Sequence, residues 1–316
     1  MPEIEVVAAC EDDPATRKQL AAQGVVAITH GDYGKMLADV DCDAVAIGDY
    51  YTRRGSLAIR ALSHGKHVIS DKPLCTSLDE LAEIERLSAE KSLCVVGMFD
   101  MRDQAQLISV RNLIRQGTIG EVHAISFGGQ HPLNLGTRAA WYFEPGKHGG
   151  TINDIAIHAI DAIPWITVQE FSTINAARCW NALAKDYPHF EGAAQMMLTL
   201  ENGCGVLGDV SYLAPGSSGY TLPFYWRMAF WGEQGVVEVD CYNAKDVTLA
   251  LDGESGLRHE PLADSNPGGY LRSFLHDIQG GLQADELCTA HTLRATRTAL
   301  MIQHAADTQA HDVALT

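Results

Sequence analysis

The sequence has little positive charge. Its 23 lysine and arginine residues are outnumbered by 40 aspartate and glutamate residues, which gives a formal net charge of −17 at pH 7. A protein that binds the phosphate backbone of a nucleic acid needs a basic surface, and no cluster of lysine and arginine occurs in this chain. We therefore expect no nucleic-acid partner.

Long apolar runs are also absent. No stretch approaches the ~20 apolar residues that a helix needs to cross a bilayer. The first residues, MPEIEVVAACEDDP, have no basic segment ahead of their short apolar run, so they do not resemble a secretory signal. These absences predict a cytoplasmic protein that does not insert into a membrane.

Paired cysteine motifs are missing as well. The eight cysteines are irregularly spaced, and none forms a Cys-x-x-Cys pair. Such spacing is typical of free thiols in a reducing compartment and supplies no ligand set for a structural zinc ion. We expect no bound metal.

The first part of the chain, residues 1–119, instead has a regular alternation of apolar runs and helical segments. This alternation is typical of a parallel, doubly wound sheet covered by helices. It predicts an α/β domain of the Rossmann-like kind. The apolar runs are IEVVAAC (4–10), VVAI (25–28), DAVAIG (43–48), HVIS (67–70) and LCVVGM (93–98).

The pattern changes near residue 120. Three predicted hairpins follow one another, of which the first, QMMLTLENGCGVLGDVSYL, turns at Asn202 and Gly203. Consecutive hairpins indicate an antiparallel sheet. Two helical segments close the chain. Residues 120–316 are therefore predicted to form an α+β domain with a large open, mainly antiparallel sheet.

No glycine-rich loop opens the first domain. A dinucleotide-binding fold begins with a strand, a G-x-G-x-x-G loop and a helix, because the glycines let the backbone approach the pyrophosphate. Residues 1–40 contain no such loop, and VVAACEDDP has the character of a second strand, with Glu11 where an acid would hold the adenosine ribose. Either the chain begins about one βα unit, roughly 30 residues, into the fold, or the protein has dispensed with its phosphate loop.

The segment GGTINDIAIHAID (149–161) contains the densest group of reactive side chains. On a helix, Asp154, His158 and Asp161 are at positions i, i+4 and i+7 and share one face. Acids one turn away on either side of a histidine can orient its ring and set its pKa near neutrality, which suits general acid–base catalysis. The alternative for this face is a metal site formed by Asp154, His158 and His131.

Lys72 follows a predicted strand in the sequence SDKP. The carboxyl ends of parallel strands form the edge of a doubly wound sheet at which ligands bind. A lysine at that edge can donate to a substrate oxygen or relay a proton. A surface lysine ahead of a turn proline is the alternative interpretation of the same four residues.

Together these motifs resemble the Gfo/Idh/MocA family of glucose–fructose oxidoreductase, inositol dehydrogenase and rhizopine catabolism proteins. The family's E-K-P after a strand is similar to DKP at residues 71–73. Its G-G-x-x-x-D-x-x-x-H helix is similar to GGTINDIAIH at residues 149–158, and IRQGTIGEVHAI (114–125) looks like the family's crossover between domains. The likeness extends over nearly the whole chain.

The resemblance implies an NAD- or NADP-dependent oxidation or reduction at a CH–OH carbon of a sugar, cyclitol or related polyol. Lys72 would hydrogen-bond the reacting oxygen, His158 would act as general acid and base, and Asp154 would position the substrate or His158. The cofactor would supply the hydride chemistry. The residues expected to bind the cofactor are Glu11, Asp49, Tyr50, Asp71 and Lys72.

Three features depart from the family's pattern. Where the family has A-T-P-x-x-x-H, this chain has GDYYTRRG, so that Tyr50 replaces the proline and Arg54 the histidine. The change alters the wall beside the nicotinamide, or it provides Arg53 or Arg54 for an anionic ligand. Asp71 is one methylene shorter than the family's glutamate. With the glycine-rich loop missing, the expected cofactor is NAD, NADP or, for the chain as given, none.

The segment GQHPLNLGTRAAWYFEPGKHGG (129–150) is rich in groups that suit a sugar. Aromatic faces stack on sugar rings, and imidazole and guanidinium groups hydrogen-bond hydroxyls. A structured surface loop is the alternative. The residues expected to bind a small-molecule sugar or polyol are His131, Arg138, Trp141, Tyr142, His148, Asp154 and His158.

Three functions follow from these patterns. An NAD(P)-dependent oxidoreductase ranks first, a cofactor-independent sugar lyase, hydratase, isomerase or hydrolase second, and a non-enzymatic sugar- or partner-binding protein third. Retention of Lys72, Asp154 and His158 together favours an enzyme. The open sheet, with bulky residues on both faces of YWRMAFW, predicts a homodimer or homotetramer.

Overall fold

A computed structural model describes residues 3–24, 27–222 and 225–315. The helices are α1 (Pro14–Gln23), α2 (Tyr33–Asp39), α3 (Tyr51–Ser63), α4 (Leu78–Lys91), α5 (Ala105–Arg115), α6 (Ile157–Thr167), α7 (Gly269–Gln279) and α8 (Thr289–Thr308). The strands are β1 (Ala44–Ile47), β2 (His67–Ser70), β3 (Val95–Gly97), β4 (Val122–Pro132), β5 (Phe171–Trp180), β6 (Ala193–Leu200), β7 (Gly205–Ala214), β8 (Trp226–Gly232), β9 (Gly235–Asp240), β10 (Asp246–Leu251), β11 (Arg258–Pro261) and β12 (Val313–Ala314).

The first sheet is parallel, in the order β1-β2-β3. Val68 in the central strand pairs with Val45 on one side and Val95 on the other. These β-branched residues are buried because helices cover the sheet, and Leu62 and Leu81 belong to the same apolar cluster. The predicted parallel α/β fold of this region is confirmed.

The region ahead of β1 differs from the prediction. The strand predicted over residues 4–10 does not form, and a single bridge between Cys10 and His30 is its only pairing among the described residues. The strand predicted over 25–28 lies partly outside the described residues. Helix α1 has no buried residue, whereas Leu37 of α2 is buried in the apolar cluster of the first sheet.

The second sheet has nine strands in the order β11-β10-β9-β8-β4-β7-β6-β5-β12. Its neighbours are antiparallel except for β4 and β7, which run parallel. The predicted large, mainly antiparallel sheet is therefore confirmed. Strand β5 was not predicted, because two register shifts, near Phe171 and Ile174, interrupt its alternation of buried and exposed residues.

Helix α8 joins the two sheets. Thr289 and Thr292 at its start accept hydrogen bonds from the backbone of β3, at 3.0 Å from Val95 N and 3.1 Å from Gly97 N. Further along the helix, Ala299 and Ile302 are buried in the larger core beneath the nine-stranded sheet. The expected division at residues 119 and 120 stays a prediction.

Two further expectations concern the surroundings of the protein. Among the described residues, no helix combines the length and the apolar character that crossing a membrane requires. The eight cysteines are all free. The expected cytoplasmic location stays a prediction.

Candidate functional site

Lys72 lies at the carboxyl end of β2, where a buried arginine fixes the backbone. The Arg54 guanidinium donates to the Lys72 carbonyl oxygen, to Asp71 Oδ2 at 2.9 Å and to the Asp49 carbonyl oxygen at 2.7 Å. Arg54 is 3 % exposed, and these bonds occupy it. Arg54 thus ties the ends of β1 and β2 together, and the alternative that it receives an anionic ligand stays a prediction.

Two glycines bring the segment before α6 against the first sheet. Gly149 and Gly150 have φ angles of +78° and +105°, which favour glycine. A Cβ atom on Gly149 would lie 2.3 Å from the Thr76 side chain, and one on Gly150 would lie 2.3 Å from Gln303. The close approach depends on the absence of side chains at both positions.

The residues that follow form one π-helical turn, Ile152–Ala156, before α6 begins. This turn places Asp154 against Lys72. Lys72 Nζ donates to Asp154 Oδ1 at 2.8 Å and to the Asp154 carbonyl oxygen at 2.7 Å. The side chains are 17 % and 5 % exposed, so the ion pair is buried.

Two tyrosines complete the shell of the Asp154 carboxylate. Tyr51 donates to Oδ1 at 2.8 Å, and Tyr212 donates to Oδ2. Burial opposes ionisation of the carboxyl group, but the Lys72 ammonium and His148 hold the pKa of Asp154 well below its usual range. We call Lys72, Asp154, Tyr51 and Tyr212 the inner cluster.

His158 lies one turn beyond Asp154, at the start of α6. Burial and the nearby Lys72 ammonium lower the pKa of His158 well below its usual range. The expectation of a pKa near neutrality is therefore wrong, and the imidazole is neutral at pH 7. His158 Nδ1 is buried and forms no hydrogen bond with a described residue. The ring is thus an uncharged base held next to an ammonium group.

The acids expected to orient His158 have other partners. The Asp161 carboxylate accepts two hydrogen bonds of 2.6 Å from the Arg102 guanidinium. Asp154 is occupied by the inner cluster. The carboxylate nearest to His158 is instead Asp100, whose Oδ1 lies 3.9 Å from His158 Nδ1. Asp100 was not identified from the sequence, because it comes from the turn after β3.

The metal site considered as an alternative does not form. Asp154 is bound to Lys72, so its carboxylate is not grouped with His131 and His158. Among the described residues, the one group of three potential ligands with metal-like spacing is Glu121, His123 and Glu233, which are exposed and belong to the far end of the large sheet.

The residues expected to bind a sugar lie around the inner cluster. His131 on β4 is surrounded by aromatic rings, and its Nε2 is buried without a partner among the described residues. Burial lowers the pKa of His131 to about 4. His148 hydrogen-bonds with the Tyr212 hydroxyl at 3.0 Å. The two imidazoles therefore face the cluster from the second sheet and from the loop before α6.

Three more of these residues form a stack beside Tyr51. The Trp141 ring lies edge-on to Tyr51 with centroids 4.9 Å apart, and Tyr142 hydrogen-bonds the Tyr51 hydroxyl. Arg138 packs over the Tyr142 ring and donates to the carbonyl oxygens of Leu133 and Pro132 at 2.9 and 2.8 Å. The stack rigidifies the loop, and Trp141 keeps part of its face exposed.

Two family models match the chain. The model of the oxidoreductase family with an NAD-binding Rossmann fold matches residues 1–98, and the GFO/IDH/MocA C-terminal domain matches residues 107–238. This chain belongs to the Gfo/Idh/MocA family. The resemblance inferred from the motifs at residues 71–73 and 149–158 is confirmed, and with it the assignment to the dehydrogenases and reductases.

Named relatives act on sugars and cyclitols. The chain is 26% identical to a dTDP-3,4-didehydro-2,6-dideoxy-alpha-D-glucose 3-reductase of Saccharopolyspora spinosa, over 91% of this chain and 84% of that protein. It is 25% identical to inositol 2-dehydrogenase 3 of Saccharopolyspora erythraea, over 89% of this chain and 80% of that protein.

Solved structures of the family share the fold. An oxidoreductase from Thermotoga maritima superposes with a TM-score of 0.85 at 23% identity, over 99% of this chain and 93% of that one. An oxidoreductase from Agrobacterium radiobacter, solved with NAD+, L-tartaric acid and magnesium, has a TM-score of 0.78 at 20% identity, over 98% and 90% of the two chains. The parallel sheet is thus the Rossmann-like part of the Gfo/Idh/MocA fold.

The remaining residues expected to bind the family's cofactor lie beyond the end of β1. Asp49 Oδ2 pairs with Arg53 at 3.0 Å, and Arg53 also pairs with Asp12. We call Asp12, Asp49 and Arg53 the outer cluster. Its side chains are between 27% and 45% exposed. Arg53 is already shared by two carboxylates, so the suggestion that it receives an anionic ligand gains no support. The Tyr50 ring lies 5.0 Å from Lys147 Nζ.

The polar groups at the end of β2 are compatible with the reacting end of a dinucleotide. Asp71 lies there beside Lys72 of the inner cluster and accepts a hydrogen bond from its backbone N–H at 2.8 Å. The buried, unpartnered nitrogens of His131 and His158 lie beside them and suit a ligand rich in hydroxyl groups.

The described residues ahead of β1 do not supply the pyrophosphate site of a dinucleotide-binding fold, which is formed by the first βα turn. The carboxylate of Asp13 caps the N-terminus of α1 by accepting from Thr16 N at 2.6 Å. The Glu11 carboxylate accepts from Asp13 N at 2.9 Å. Within residues 3–24 and 27–40 there is no glycine-rich backbone cradle. The role expected of Glu11 at the ribose stays a prediction.

Proposed function

We propose that this chain catalyses an NAD- or NADP-dependent oxidation or reduction at a CH–OH carbon of a sugar, cyclitol or related polyol. The observation that supports the proposal most strongly is a buried ammonium next to a buried neutral imidazole. Lys72 is held by the Asp154 carboxylate, and His158 is close enough to that ammonium for its pKa to fall. The polyol specificity follows the named relatives and the aromatic surroundings of His131.

Lys72 would bind the reacting oxygen. An ammonium has three N–H donors. Two of those of Lys72 are directed at Asp154, one at its carbonyl oxygen and one at Oδ1. The third donor can hold the substrate hydroxyl and stabilise the negative charge that grows on its oxygen during oxidation. The inner cluster fixes the ammonium in place, which reduces the reorganisation that the reaction requires.

His158 would take the hydroxyl proton. A base must be unprotonated to accept a proton, and burial keeps this imidazole neutral. Trp226 packs edge-on against the ring, with centroids 6.0 Å apart, and excludes water from that side. When bound, the nicotinamide supplies the hydride chemistry. Asp154 acts through Lys72 in this scheme.

The test is a turnover assay over a panel of sugars, cyclitols and other polyols with NAD+ and NADP+. We expect Lys72→Ala and His158→Gln each to lower kcat/KM by about 10²- to 10⁴-fold. Lys185→Ala, at an exposed position, is the matched control and should retain activity. If Lys72→Ala turned over the preferred polyol at the rate of the unchanged protein, the proposed role of Lys72 would be wrong.

A cofactor-independent lyase, hydratase, isomerase or hydrolase is the second candidate. The observation that favours it is that residues 3–24 and 27–40 contain no glycine-rich loop for a pyrophosphate. Sugar turnover by protein freed of nicotinamide would support this candidate. Turnover that requires NAD+ or NADP+ would support the first.

We further propose that the protein forms a homodimer or homotetramer through the open face of the large sheet. Met197, Leu207 and Trp231 are exposed there on β6, β7 and β8, whereas the adjacent residues Met196, Val206 and Phe230, which face the other side of the sheet, are buried. Exposed apolar side chains on one face are typical of an interface. Light scattering at micromolar concentration tests the proposal, and a monodisperse monomer would refute it.

A further inference from the structure

We propose that Asp100 is the positioning residue of His158: its carboxylate accepts the Nδ1–H proton of the imidazole and leaves Nε2 as the base that meets the substrate. The inference rests on the proposed function for its consequence in catalysis. Its structural content, the tautomer of His158, can be tested without substrate or cofactor.

The geometry places Asp100 opposite the correct nitrogen. Asp100 begins the short 3₁₀ turn that follows β3, and His158 begins α6. Asp100 Oδ1 is 3.9 Å from His158 Nδ1. A hydrogen bond between nitrogen and oxygen needs about 2.9 Å, so a shift of roughly 1 Å by one side chain closes it. The Asp100 side chain is 49% exposed and has room to make that shift.

His158 lacks any other described partner for Nδ1. This atom is buried and forms no hydrogen bond with the described residues. Leaving a buried ring nitrogen without a partner is unfavourable, which favours closure onto a nearby acceptor. The other acids of the region are unavailable, since Asp154 is bound by Lys72 and Asp161 by Arg102.

The contact between Asp100 and His158 supplies a counter-charge for the protonated imidazole. Once His158 accepts a proton it becomes an imidazolium beside the Lys72 ammonium, in a buried place. Two adjacent cations without a counter-charge are unfavourable in such an environment. The Asp100 carboxylate is the acid that lies on the imidazole side, whereas Asp154 lies on the ammonium side. Each cation would thus have its own carboxylate.

Other groups around Asp100 are compatible with this role. Partial burial raises the pKa of Asp100, and the Lys72 ammonium offsets part of the rise. Asp71, at the end of β2, and the hydroxyls of Tyr225, Tyr242 and Tyr270 complete the titratable groups near it, together with Asp103 in its own turn. Among these groups Lys72 is the cation.

In the proposed reaction one proton moves between the substrate hydroxyl and His158. In oxidation the substrate O–H bond breaks and an Nε2–H bond forms on His158. The nicotinamide of the proposed function would serve as the acceptor for the carbon-bound hydrogen and its electron pair. The Nδ1–H bond stays intact and donates to Asp100, which remains ionised. Reduction runs through the same bonds in reverse.

The test is the tautomer of His158 in the full chain without added ligand. Two-bond proton–nitrogen correlation spectra of ¹⁵N-histidine-labelled protein distinguish Nδ1–H from Nε2–H imidazole. The chain has 13 histidines, so the His158 signal is assigned by its loss in His158→Gln. The variants are Asp100→Asn, Asp100→Glu and, as a charge-matched control, Asp264→Asn at an exposed position.

We expect Nδ1–H in the unchanged protein, in Asp100→Glu and in Asp264→Asn, and a mixture or the Nε2–H form in Asp100→Asn. An Nε2–H tautomer in the unchanged protein, or an unaltered Nδ1–H signal in Asp100→Asn, would overturn the proposal. If the protein turns over a polyol, Asp100→Asn should lower kcat about 10- to 100-fold with little change in KM, and Asp100→Glu should restore it. A protein without turnover leaves the spectroscopic result decisive by itself.

Discussion

The inner and outer clusters contain similar chemistry in opposite environments. Both join a cation to carboxylates at the ends of the parallel strands. In the inner cluster the Lys72 and Asp154 side chains are 17% and 5% exposed, and two tyrosines donate to the acid. In the outer cluster Asp12 and Arg53 are 45% and 29% exposed.

The difference in burial determines which of the two clusters is held in a single arrangement. Burial makes the inner charges depend on each other, because an unpaired charge there could not be compensated by water. Water can replace either partner in the outer cluster, so its ion pairs contribute little and fix little. The inner cluster is therefore held in one arrangement, whereas the outer cluster is a solvated, mainly acidic part of the surface.

The largest expected effect comes from removing the inner cation. Lys72→Met leaves the Asp154 carboxylate buried without its partner, and we expect the free energy of unfolding to fall by about 3–5 kcal/mol. Urea unfolding at neutral pH measures the loss. The double variant Lys72→Met/Asp154→Asn has no buried charge to compensate and should recover most of it. A loss below about 1 kcal/mol for Lys72→Met would mean that the inner pair behaves like the outer one.

The second effect is a fall in the free energy of unfolding at acidic pH. His131, beside the inner cluster, has a pKa of about 4 in the fold against an ordinary value of 6.5, because burial disfavours the charged ring. The unfolded chain then binds more protons between these values, so the free energy of unfolding falls as pH drops from 6.5 toward 4, by up to about 3 kcal/mol.

Replacing the His131 imidazole tests that expectation. His131→Phe should remove this part of the pH dependence, whereas His123→Gln, at an exposed histidine of the large sheet, should leave it in place. The measurement is urea unfolding at a series of pH values. Parallel pH profiles for His131→Phe and the unchanged protein would contradict the assignment.

The same contrast explains how far the sequence predicts the site. Lys72, Asp154 and His158 occur in short contiguous motifs, so their place in the fold could be inferred locally. Asp100, in the turn after β3, and Tyr212, on β7, reach the site from distant parts of the sequence, and no spacing marks them. Tertiary contacts therefore decide which acid serves which cation.

The fold shows the same division between local and distant causes. The predicted strand HVIS coincides with β2, because buried neighbours on both sides support its β-branched residues. Residues 4–10 have an equally strong composition and form no strand, since Cys10 has a single bridge and α1 buries none of its side chains. Strand propensity alone does not form a ladder without a paired neighbour.

The smallest expected effect is in the outer cluster. Asp12→Asn removes one carboxylate from Arg53, which keeps Asp49 at 3.0 Å. Because both groups of the lost pair are substantially exposed, we expect the free energy of unfolding to change by less than about 1 kcal/mol. Urea unfolding in low salt and in molar sodium chloride measures the change, and salt should reduce it further because exposed charges are screened. Asp264→Asn controls for the loss of one surface charge. A salt-insensitive loss of several kcal/mol would place Asp12 and Arg53 in a coupled network like that of Lys72. The inner and outer clusters would then be equally rigid.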